Sequence, residues 1–163
     1  MEEQQNDDVK APLEGYKNFA PPPVKTSLVW NRDLQFTGST PQGYDIEFDS
    51  DGQWGCKPTE ALLLSLAGCM AIDVVMILKK MRVRLAGFRM ELTAERNPSP
   101  PQYFRAVEMV LHLEGRDIDP RKVDRAVALS HSTYCSVYNT LRKDMAVTVR
   151  TVIEDRDPGG DPA

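Results

Sequence analysis

The sequence has few cysteines, no basic excess and no apolar leader. Three cysteines in 163 residues are an odd number at irregular spacing, which excludes a disulfide-stapled secreted scaffold and leads us to expect a cytoplasmic protein. Twenty Lys and Arg stand against 24 Asp and Glu, a net charge of −4, so no nucleic-acid partner is expected, since that would call for a basic face. There are only two histidines, and the cysteines follow neither a CxxC nor a zinc-ligand spacing; no metal and no cofactor are expected. The N-terminal MEEQQNDDVK is acidic and lacks the apolar run of a signal peptide.

What the chain does have is one long apolar run. Eighteen residues, Ala61 to Leu78, contain a single charge, Asp73. Pro58 suits a first helical turn, Glu60 complements the positive end of the helix dipole, and Lys79, Lys80 and Arg82 complement the negative end. The pattern predicts one helix over 58–82, roughly 35 Å long at ~1.5 Å per residue. Such a run reaches the membrane-spanning threshold, but a central acid costs roughly 2.5–3.5 kcal/mol on insertion, and Ser65, Gly68 and Cys69 interrupt the greasy surface. A buried core helix is expected and no membrane, with a second chain needed to cover a helix apolar nearly all round.

Around this helix the chain alternates. Residues 1–23, acidic and ending in three prolines, read as a flexible arm. Strands are expected at 26–30, 34–37 and 44–48, with a turn at Asn31-Arg32-Asp33, and then a loose loop, DSDGQWGCK, at 49–57. Residues 88–96 and 104–114 alternate as a hairpin around NPSPP. Asp119 and Pro120 open a second helix toward Leu141, with a possible break near His131–Thr133. A last strand follows at 147–153, then a disordered tail at 155–163. The expected fold is α+β: one domain over 24–154, antiparallel strands around a long central helix, order βββ-α-ββ-α-β.

Cys69 lies midway along the first helix with Asp73 four residues on, and Cys135 lies within HSTYCS. Each thiol reads either as a small buried hydrophobe or as a reactive group, which needs access and a nearby cation. Cys56 sits in the loop as an exposed thiol, incidental or resolving. Asp73 is either a hydrogen-bonding anchor or part of a site, because a buried carboxylate needs partners. His112 reads as structural, and His131 as structural or as a neighbour of Cys135.

The segments KPTEALLLSLAGCMAIDVVMILKK, LTAER and RAVALSHSTYCSVYNTL resemble the OsmC/Ohr family over about 24–154, closest to its OsmC-like branch. The resemblance implies an interlocked homodimer with two sites at the interface. It also implies thiol-dependent reduction of organic hydroperoxides, with Cys69 as the peroxidatic thiolate and Cys135 as the resolving thiol. A dithiol or lipoyl-type reductant would recycle their disulfide, and Leu66, Met70 and Met76 would supply greasy surroundings. The family's peroxidases carry a glutamate directly after the helix-opening proline, holding an arginine. Here that position is Thr59, the glutamate is Glu60, and Arg32 is the candidate arginine with Arg96 as the other. The alternatives are a non-catalytic member that binds a small apolar ligand or senses oxidants at the dimer cleft, and a transferase or hydrolase using Cys69.

Overall fold

The computed structural model describes residues 21–156; most of the expected arm and tail lies outside them. The chain forms two compact units, divided between Cys56 and Lys57. In the first, β1 (Ser27–Arg32), β2 (Gln35–Ser39) and β3 (Asp45–Asp49) make an antiparallel meander in that order. The first turn is tighter than the expected Asn31-Arg32-Asp33. Asn31 and Arg32 extend β1, and the reversal falls on Asp33 and Leu34, the latter expected in the second strand; the Asp33 φ of 44° is a conformation that Asp tolerates. Trp30 Nε1 donates to Asp33 O at 2.9 Å across that turn.

The loop after β3 is ordered by one carboxylate. Asp49 accepts backbone N–H bonds from Asp51 (2.9 Å), Gln53 (3.3 Å) and Trp54 (3.1 Å), led by Asp51, and these hold its carboxyl below the usual range. The loop therefore returns to the sheet, and Cys56 bridges Phe48. The expected exposed loop thiol is instead half-buried, its Sγ donating to Glu47 O at 3.6 Å.

The second unit opens with α1 (Pro58–Lys80). A hairpin of β4 (Gly87–Arg96) and β5 (Phe104–Gly115) follows, then α2 (Pro120–Leu129), a π-helical turn at Ser130–Tyr134, the short α3 (Ser136–Thr140) and β6 (Ala146–Asp155). Asp155, expected in the tail, closes β6. Asp119 caps α2 by accepting from Arg121 N at 3.0 Å, as its place before Pro120 predicts. β5 is the central strand of the sheet. Its alternate residues Val107, Met109, Leu111 and Leu113 are fully buried, as a half-buried strand requires.

Two larger features also differ from the sequence reading. β6 runs parallel to β5 rather than antiparallel, because the helices over 120–140 carry the chain back along the sheet before it re-enters. The long helix is also buried on one face only. Leu66, Met70, Val74, Ile77 and Leu78 join the strand residues in the core, at the i, i+4, i+8 spacing of one helical stripe. Leu64 and Ile72 on the opposite side are 67% and 70% exposed, since a single sheet covers a single face. By length and hydropathy alone α1 could cross a membrane, yet its buried stripe packs on this protein's own strands. Leu111→Ala is expected to cost about 2–5 kcal/mol, read as a lower urea midpoint, since Leu111 has no exposed surface.

Candidate active site

Two helical segments, far apart in sequence, bring the thiols together. Cys69 and Asp73 are four residues apart on α1 and so share one face. Cys135 arrives through an irregularity. Its N–H donates to Ser130 O at 2.8 Å, the i→i−5 bond of a π-helical turn, a device that often re-aims a side chain at a functional position. At Cys135 the backbone then leaves the helix (φ −67°, ψ 96°), and its Sγ accepts from Tyr138 N at 3.4 Å. Asn139 Nδ2 donates to Cys135 O at 3.0 Å, and His131 lies against the Tyr138 ring with centroids 3.9 Å apart. The loop that holds the thiol is thus pinned from both sides, and the expected break near His131–Thr133 is the π-helical turn over Ser130–Tyr134 together with Cys135.

The Sγ of Cys69, the Sγ of Cys135 and a carboxylate oxygen of Asp73 lie within 4.8 Å of one another. Asp73 Oδ2 accepts from Ser130 Oγ at 2.9 Å, and Ser130 is fully buried. Asp73 is therefore both hydrogen-bonding anchor and member of the cluster, two readings that the sequence left as alternatives. Cys69 is partly accessible and Cys135 is fully buried. Burial first, then the neighbouring Cys69 and the Asp73 charge, push the Cys135 thiol from 9.0 up to about 11, against the lowering effect of the Tyr138 N–H.

That shift links stability to pH. The folded state holds the Cys135 proton more tightly than the unfolded chain does. The stabilisation is complete below pH 9 and is lost as pH rises toward 11. Urea denaturation of the reduced protein should show this decline, and Cys135→Ala should flatten it.

The other sequence candidates have local roles. Glu60 Oε2 accepts from Lys57 N at 2.8 Å, closing the start of α1. Arg96 Nε donates to Gln102 O at 2.9 Å in the β4–β5 hairpin. Arg32 belongs to the first unit, where its Nε donates to Gln35 Oε1 at 2.9 Å. His112, on the outer face of β5, lies 3.1 Å from Arg89 Nη2 and 3.8 Å from both Glu91 and Glu154 carboxylates. Of the expected greasy neighbours, Leu66 and Met70 are core residues, whereas Met76 is 42% exposed.

A cavity of about 170 Å³ that sequence reading missed opens at the N-terminal end of α1, lined by Thr59, Leu62, Tyr103, Phe104, Arg142 and Met145 among others. Leu62 is seven residues from Cys69, two turns along the same helix face, or ~10 Å. Arg142 is held there by Asp144 at 2.6 Å and sits 4.1 Å from the Tyr103 ring centre.

Residues 49–150, spanning both clustered thiols, match the family model described as OsmC-like protein. The chain belongs to the OsmC family. Protein YhfA of Escherichia coli K12 is 37% identical over 126 residues, covering 77% of this chain and 94% of YhfA. Among solved structures, a hypothetical protein from Aquifex aeolicus VF5 superposes with a TM-score of 0.77 at 23% identity, over 84% of this chain and all of that one. The organic hydroperoxide resistance protein OhrB of Bacillus subtilis superposes with a TM-score of 0.53 at 16% identity, over 82% and 98% of the two chains. The α+β fold is thus shared with a protein named for organic hydroperoxide resistance.

Proposed function

We propose that this protein is a cysteine-based peroxidase that reduces organic hydroperoxides in the cytoplasm as a homodimer. The observation that carries this reading is the meeting of a partly accessible thiol, Cys69, with a buried one, Cys135, in one cluster. The Cys69 thiolate attacks the terminal oxygen of R–O–OH. The O–O bond breaks, the alkoxide leaves and takes a proton to become an alcohol, and Cys69 becomes a sulfenic acid. The Cys135 sulfur then displaces that hydroxyl, water leaves, and a disulfide closes. A dithiol or lipoyl-type reductant returns both thiols by exchange and is itself oxidised to a disulfide.

The cavity beside Leu62 and Phe104 suits an apolar tail two turns from the reacting sulfur. The uncovered stripe on α1 supports self-association. The odd cysteine count without framework spacing supports a reducing compartment.

The test is consumption of an organic hydroperoxide against hydrogen peroxide, with dithiothreitol or dihydrolipoamide as reductant. Dithiol-dependent turnover that prefers the organic substrate, with a Cys69–Cys135 disulfide in the peptide map, is the expected result. A second reading, a non-catalytic member that binds a small apolar ligand or senses oxidants, is favoured by one observation. The Asp73 carboxylate beside the thiols opposes ionisation of Cys135. Thiols inert to stoichiometric peroxide would select it.

A further inference from the structure

Metal-ligand spacing is absent from the sequence, but tertiary structure builds a ligand set. We propose that the reduced protein binds one thiophilic divalent cation, zinc in the first instance, through Cys69 Sγ, Cys135 Sγ and an Asp73 carboxylate oxygen. The three donor atoms lie within 4.8 Å of one another. In a tetrahedral zinc site with bonds of ~2.0–2.3 Å, donors stand roughly 3.4–3.8 Å apart, so side-chain movements of about an ångström complete the site. Two thiolates and one carboxylate leave a fourth position for water or a further ligand, as in open three-ligand sites.

The surroundings supply what such a site requires. Asp73 Oδ2 is oriented by the buried Ser130 hydroxyl, the kind of outer hydrogen bond that fixes a metal-binding carboxylate. Cys135 is held by the π-helical turn and by Tyr138 N, so one ligand is pre-positioned at no further ordering cost. The cluster is deep yet reachable through the partly accessible Cys69. On binding, each thiol gives up its proton and no electron moves. The ion neutralises charge that the two sulfurs and the carboxylate would otherwise hold in close quarters.

Such an ion and a Cys69–Cys135 disulfide exclude each other, because the disulfide uses both sulfurs. Zinc would therefore hold the pair reduced and silent, and oxidation would release it. That exclusion rests on the peroxide chemistry proposed above; the binding itself does not.

Reduced full-length protein is titrated with zinc against a chromophoric chelator, and with cobalt(II) for its thiolate charge-transfer and tetrahedral d–d bands. One ion per chain is expected. Binding should be about a hundredfold weaker in Cys69→Ser, Cys135→Ser and Asp73→Asn, about tenfold weaker in Ser130→Ala, and unchanged in Cys56→Ser. Circular dichroism checks that each variant is folded. In case one is not, the wild type carries a second readout: zinc should slow alkylation of Cys69, followed by peptide mass, by about a hundredfold. Absence of stoichiometric binding, retention of binding in the folded Cys135→Ser and Asp73→Asn variants, or an unchanged alkylation rate would overturn the site. No peroxide enters these assays, so zinc binding without turnover would keep the metal site and remove only the peroxidase.

Discussion

Cys69→Ser is expected to lower hydroperoxide consumption by about three orders of magnitude or more, roughly 4 kcal/mol of transition-state stabilisation. A serine hydroxyl at the same place is far less acidic than a thiol and a far poorer nucleophile toward an O–O bond. Cys135→Ser should behave differently. Cys69 would still reduce one equivalent of peroxide per chain, and the resulting sulfenic acid, with no partner sulfur, would persist and be trappable by dimedone. Turnover in excess peroxide would then stop after that burst. Stopped-flow peroxide consumption with mass analysis of Cys69 separates the two behaviours. Full activity in Cys69→Ser would sink the mechanism, and sustained turnover in Cys135→Ser would remove Cys135 from it.

Ile72→Glu should turn a dimer into a monomer. Ile72 is 70% exposed on the uncovered face of α1, with Leu64 at 67%. A two-fold interface uses each such residue twice, so losing ~1.5–3 kcal/mol of apolar burial per side chain weakens association by roughly 10²–10⁴-fold. The buried carboxylates add to that penalty. The substitution faces away from Met70 and Val74, so the monomer should keep its far-ultraviolet circular dichroism. Light scattering coupled to size exclusion measures the mass directly. A wild-type monomer at micromolar concentration would leave the apolar stripe without this explanation.

Much of the architecture was legible because its signals are local. Pro58 and Glu60 mark the start of α1, Asp119 and Pro120 mark the start of α2, and period-two alternation marks the β4–β5 hairpin; the structure places all of them within a residue or two. The turn after β1 and the loop at 49–57 were less legible. Their shapes depend on hydrogen bonds from Trp30 and to Asp49, which no periodicity encodes. The parallel β6 was not legible either, because strand direction follows from where the preceding helices carry the chain.

The site divides in the same way. By itself the sequence determined that an apolar helix carries a thiol and an acid on one face, and that a second thiol follows in a helix prone to break. It also carried enough motif to point to the OsmC family. Only the tertiary structure decided that Cys135 stands beside Cys69 and Asp73, and that Ser130 orients the carboxylate. It also decided which thiol is accessible, and that half of α1 is left uncovered. Propensity and periodicity act over a few residues. A contact across 66 positions depends on the packing of α1 against the π-helical turn, a property of the folded chain rather than of any segment in it.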